Sequence, residues 1–260
     1  MNIKPLILLV LFIATLTGYS AYCKTIRVAV IDTGFGFNGL AHDVKLCKYG
    51  HKDFTSAQEY SMEYDTIDPI PVDRHGHGTN IAGAINKYAK NADFCLIILK
   101  FYKDIRGTNA ENLEASVQAF RYAINIKVDI INYSGGGNRG SETERNLVKK
   151  FIDNGGTIVA AAGNASENLD LLGNYFYPAM YDDRIIVVGN KEIVSFGKTK
   201  MKRRSPTSNY GSVVKYWEVG TVDMYGYSMS GTSQSTALKT GKIINERFRK
   251  SKRENNFIRR

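Results

Sequence analysis

This chain of 260 residues has no internal repeat, no low-complexity or Pro/Ser-rich stretch and only three cysteines. Without a linker-like segment, the length reads as one large domain. One cysteine lies at the edge of an N-terminal leader, and the two left in the body are too few to fix a redox compartment. His75 and His77, with Asp73 nearby, could suggest metal ligands, but no third or fourth ligand follows at a recognisable spacing, so no metal and no cofactor is expected. A nucleic-acid motif and an aromatic-interleaved basic surface are also missing, which argues against sequence-specific nucleic-acid recognition.

What is present is ample apolar material, 43% of residues, enough to bury a sizeable core. Residues 1–23 read as a targeting segment: Lys4, then an apolar stretch from Leu6 to Leu16, then Gly18, Ser20 and Ala21. That stretch is shorter than the roughly 20 residues a bilayer-spanning helix needs, so the reading is a cleaved signal and a secreted or cell-envelope protein, an uncleaved anchor being the alternative. The formal charge is +10. It is concentrated at Lys198–Arg204 and Arg247–Arg260; elsewhere acids and bases nearly balance. A solvated loop and a frayed tail account for these clusters, and an anionic partner surface is the sharper alternative. The domain is placed at 24–246 and the basic tail at 247–260.

β-Branched runs alternate with helical patterns: TIRVAVI, FCLIIL, VDIINY, GTIVAAA and RIIVVG. The rhythm predicts an α/β fold in three layers, a mostly parallel sheet flanked by helices. Helices are expected over Asn112–Ile126, with Leu113, Val117, Phe120 and Ile124 as core, and over Ser141–Asp153, where Ser141 and Glu144 have capping-box spacing. Ligand sites in such sheets lie beyond the carboxyl ends of the strands, where Asp32, Ser134 and Asn164 fall.

Three glycine-punctuated motifs carry chemistry: Asp32 in VAVIDTG, His77 in HGHGTNIAG and Ser233 in SMSGTSQSTA. A serine hydroxyl becomes a useful nucleophile when an imidazole takes its proton and a carboxylate fixes that imidazole's tautomer. Taken singly, Asp32 reads equally as a strand-end turn residue and Ser233 as a helix N-cap. Together with IINYSGGG, AAAGN, YPA and SNYG, in this order, the motifs resemble those of the subtilisin-like serine proteases from about Ile26 to Lys242.

That resemblance implies a subtilisin-like fold and an endopeptidase acting on protein or peptide substrates. Asp32, His77 and Ser233 would be the triad, and the Asn164 amide the oxyanion donor. Ser134, Gly135 and Gly136 would hold substrate as an added strand, and Phe176 would lie near the base of a shallow primary specificity pocket. His75 matches no catalytic position. Cys47 and Cys95 would lie on neighbouring strands, where either a disulfide or two buried thiols is possible. The stretch Gly83–Phe94 lacks the family's frequent calcium loop, little chain separates the leader from the first strand where relatives carry a propeptide, Ser235 and Ala237 stand where Ala and Pro are usual, and WEVGTVD replaces a segment usually rich in Ala, Pro and Gly. An inactive peptide-binding relative and an anionic-surface interaction protein are the competing functions. A monomer is expected.

Overall fold

The computed structural model describes residues 24–102, 108–197 and 199–258; residues 1–23, expected as a leader, residues 103–107, Lys198, Arg259 and Arg260 lie outside the described residues. In chain order the strands and helices are β1 (Ile26–Asp32), β2 (Lys52–Asp53), β3 (Tyr60–Ser61), β4 (Ile70–Pro71), α1 (His77–Ala89), β5 (Phe94–Lys100), α2 (Asn109–Asn125), β6 (Ile130–Tyr133), α3 (Glu142–Asp153), β7 (Thr157–Ala161), β8 (Ile186–Phe196), β9 (Thr199–Arg204), β10 (Tyr216–Val219), β11 (Thr221–Met224), β12 (Tyr227–Ser230) and α4 (Thr232–Ile258).

An eight-stranded sheet runs β10-β8-β7-β6-β1-β5-β2, with β9 added to β8. Its pairs are parallel except β8 with β9. The expected α/β architecture is therefore present. Alternation along each strand explains why both faces need helices. Val28 and Val30 of β1, with Leu96 and Ile98 of β5, pack on one face against Ile81 and Ile85 of α1 and Leu238 and Ile244 of α4. Their neighbours Ala29, Ile31, Ile97 and Leu99 pack on the other face against Phe120 of α2 and Val148 and Phe151 of α3. Each fully buried branched side chain of this kind contributes about 1.5–3 kcal/mol of transfer free energy.

Helix α2 begins earlier than its apolar spacing predicts, because Thr108 and Glu111 form a reciprocal capping box. At α3 the box is only half formed: Ser141 accepts from the Glu144 amide, but the Glu144 carboxylate turns inward. The Ser141 amide donates instead to the Tyr181 hydroxyl at 2.8 Å. Cys47 and Cys95 form a disulfide, with Cα atoms 4.9 Å apart. Cys47 sits next to an isolated bridge, Leu46 to Leu96, rather than on a full strand.

Two segments differ from the charge-based expectation. Residues 199–204 form β9, not a loop, and every residue of it is exposed. With lysines and arginines on both faces it shows no period-2 apolar signal, and such a charged strand discourages edge-to-edge pairing. The basic tail continues α4: Arg247 donates to the Asp129 carbonyl at 3.4 Å and to Thr157 Oγ1, and Phe248 packs on the core. Ile243, Ile244, Arg247 and Phe248 recur at helical spacing, a pattern hidden by the surrounding charges. Among the described residues, no helix is long and apolar enough to cross a membrane.

Candidate active site

Asp32 is the last residue of β1 and is 3% exposed. Its Oδ1 accepts from the Thr33 amide at 2.8 Å and lies 2.7 Å from His77 Nδ1. His77 is the first residue of α1, so one strand end and one helix start create the pair. Burial is the largest influence on the imidazole and lowers its pKa, but the charge and hydrogen bond of Asp32, with the charge of Asp73, raise it above the ordinary histidine value.

Asp73, which the sequence offered only as a doubtful metal ligand, organises this junction. The α1 N-cap is Gly76, which has no side chain to cap the helix. Asp73 replaces it: its carboxylate accepts from the His75, Gly76 and Thr79 amides and from Thr79 Oγ1. It also accepts from Thr33 Oγ1 at 2.9 Å, and that hydroxyl accepts from the Gly78 amide at 2.9 Å. The loop after Asp32 and the helix bearing His77 are thereby tied together. With its oxygens satisfied by these donors, Asp73 serves as a structural acceptor. The signal available in sequence was an Asp shortly before a helix whose own N-cap is glycine.

Ser233 is the second residue of α4, so it is inside the helix rather than its N-cap. Its Oγ donates to the Ser134 carbonyl at 2.7 Å, and Ser134 Oγ donates to the Ser233 carbonyl at 3.1 Å. Among the described residues no hydrogen bond joins Ser233 to His77. The Thr232 amide donates to Asn164 Oδ1 at 3.0 Å, which fixes which end of the Asn164 amide is oxygen and leaves Nδ2 as a donor. Asn164 itself is exposed.

The altered helix start has its own bonding. Ser235 is fully buried, and its hydroxyl donates to Asn190 Oδ1 and the Glu218 carbonyl, both at 3.2 Å. WEVGTVD supplies that carbonyl and forms β10 and β11.

Ser134, Gly135 and Gly136 leave the end of β6 and line a cavity of about 260 Å³ together with Asp32 and His77. A Cβ at Gly136 would lie 2.4 Å from the Phe176 ring, and one at Gly163 would lie 3.1 Å from the same ring. Phe176 therefore occupies the space between these two backbone walls. His75 is exposed and meets the His77 ring edge-on, with centroids 6.1 Å apart.

The arrangement of carboxylate, imidazole, helix-borne serine and amide agrees with a match of residues 23–245 to the subtilase family. The chain belongs to the subtilase family. It is 32% identical over 176 residues to the major intracellular serine protease of Bacillus subtilis, covering 65% of this chain and 52% of that protein. It is 30% identical over 181 residues to subtilisin DY of Bacillus licheniformis, covering 66% and 60%. This subtilase thus spans about half the length of the first of these relatives. Among solved structures, a lanthipeptide protease superposes with a TM-score of 0.64 at 18% identity, covering 84% of this chain and 72% of the other. A cold-adapted subtilisin-like serine proteinase gives 0.60 at 23%, covering 85% and 74%. Both share its fold.

Proposed function

We propose that this subtilase is an exported serine endopeptidase. The observation that carries the reading is the 2.7 Å Asp32–His77 pair, which lines one cavity with Ser134; Ser134 in turn is bonded to Ser233 at the start of α4, and Asn164 is tethered to Thr232 beside it.

In this mechanism His77 removes the Ser233 proton as Oγ attacks the peptide carbonyl. Asp32 holds the tautomer that presents Nε2 and stabilises the imidazolium. Negative charge on the carbonyl oxygen is met by Asn164 Nδ2 and by the Ser233 amide in the first turn of α4, where the helix dipole also favours an anion. His77 then protonates the leaving amine, and water hydrolyses the acyl-enzyme by the same route in reverse.

Ser134–Gly136 would bind the peptide through its main chain, and Phe176 would limit the residue before the cut bond to small or medium side chains. Leader-like residues 1–23 support export, although the relatives include both an intracellular and an extracellular Bacillus subtilis protease.

The test is hydrolysis of a mixed peptide library by folded protein lacking residues 1–23, beside Asn164→Ala. Loss of the oxyanion donor should lower kcat by about 10²–10³-fold. A folded wild type that cleaves nothing would favour the peptide-binding alternative.

A further inference from the structure

The cavity beside the triad does not end at Ser134–Gly137. It continues between that segment and the first turns of α2 to a floor made by Ser116 and Glu144. Gly135 gives it room: a Cβ there would already lie 3.0 Å from the Phe101 ring. Phe101, Tyr133 and Tyr177 provide aromatic wall, and both floor residues are almost completely buried.

Glu144 is an unusual residue for this position. Its neighbours on α3, Val148 and Phe151, pack on the core, and its place in the sequence favoured a role in the helix cap. Instead Ser116 Oγ donates to Oε1 and the Tyr181 hydroxyl donates to Oε2 at 2.6 Å, while the Tyr133 hydroxyl donates to Ser116 at 3.0 Å. Both donors to the Glu144 carboxylate are neutral hydroxyls. A buried carboxylate without a cationic partner is costly, and burial accordingly pushes the Glu144 carboxyl above its usual range. Arg139 lines the cavity from an exposed position, and no ion pair among the described residues joins it to Glu144.

We infer that this cavity is a subsite for a lysine or arginine side chain of the substrate, with Glu144 as its charge partner. The inference rests on the peptide-binding reading of Ser134–Gly136. A peptide added along that segment sends alternate side chains to one face. Ser233 is bonded to Ser134, so the cut bond lies at that end, and the cavity floor serves a side chain several residues away. An aliphatic stem would lie against the aromatic walls while its cationic head meets the carboxylate, a division that suits lysine and arginine. With Phe176 filling the space between Gly136 and Gly163, selectivity moves to this second position.

The test is a set of peptides with alanine before the cut bond and arginine, lysine, leucine or glutamate at each other position in turn, assayed with wild type, Glu144→Gln and Arg139→Ala. At one position arginine or lysine should exceed leucine in kcat/KM by about tenfold or more, as a charge-assisted hydrogen bond allows. That ratio should approach one in Glu144→Gln and rise in Arg139→Ala, a surface change that keeps the test open should the buried variant fail to fold. Leucine equal to or better than arginine at every position, with the alanine peptides cleaved, overturns the subsite and leaves the protease reading intact. If nothing is cleaved, the same peptides are titrated against folded Ser233→Ala by fluorescence anisotropy: tighter binding of the basic peptides supports the subsite, and equal binding overturns it.

Discussion

Ser233 and Ser134 exchange hydrogen bonds in both directions, Oγ to carbonyl, at 2.7 and 3.1 Å. The proposed nucleophile is thus held by the backbone segment proposed to receive substrate. Catalytic hydrogen bonds are often formed only once substrate is bound, so this contact is compatible with activity. Ser134 Oγ also accepts from Asn132 Nδ2 at 2.9 Å, and both residues are buried. Ser134→Ala should leave that amide without an acceptor and cost about 2 kcal/mol, lowering Tm by roughly 4–8 °C. Calorimetry of the variant checks this; an unchanged Tm would show that the exchange contributes nothing.

The raised pKa of His77 sets the pH dependence. Only the neutral imidazole is a base, so the acid limb of kcat/KM should lie above the ordinary histidine value of about 6.5. In Asp32→Asn burial remains while the charge is lost. The limb should move to lower pH and kcat fall about 10⁴-fold. Stability follows the same linkage: the imidazolium–Asp32 pair stabilises the fold fully below the unfolded histidine pKa, and that contribution is lost as pH rises through the folded value. Titration of His77 by NMR beside the rate profile checks both, and a wild-type limb at or below 6.5 would contradict them.

Asp73 is a positioning residue for His77. Asp73→Ala should cost about 3 kcal/mol or more, because buried donors from Thr33 and the start of α1 lose their acceptor. Asp73→Asn removes the charge at a smaller cost in hydrogen bonds than alanine, since one oxygen still accepts while the amide nitrogen replaces the other in front of its donors. It keeps an acceptor oxygen but removes a charge that helps raise the His77 pKa, so its acid limb should fall below that of wild type. Coincident limbs would reduce Asp73 to a structural cap.

Phe176 is expected to restrict the residue before the cut bond. Phe176→Gly should open the space between Gly136 and Gly163 and shift cleavage toward large side chains there. Profiling of cleavage products reads this directly. A wild-type profile already dominated by large aromatics at that position would contradict the role given to Phe176.

Much of this was legible in sequence for a local reason. The strands are short β-branched runs, and Asp32, His77, Asn164 and Ser233 each lie next to a glycine-marked turn whose position in the chain survives without knowledge of packing. What depends on long-range pairing was not legible. Cys47 and Cys95 bond because an isolated bridge, not a recognisable strand, places them together. Glu144 has the spacing of a cap, but Ser116 on α2 and Tyr181 on a distant loop draw its carboxylate inward. Asp73 was seen beside two histidines, yet its role appears only when the Asp32 loop and α1 meet. The basic segments misled because charge hid a strand and a helix continuation whose partners lie elsewhere in the chain.

The most direct test of the catalytic account is fluorophosphonate labelling of the folded protein lacking residues 1–23 beside folded Ser233→Ala, with the modified residue located by mass spectrometry. The account predicts covalent modification at Ser233 in wild type and none in the variant; a folded wild type that stays unlabelled, or a label on another serine, would contradict it.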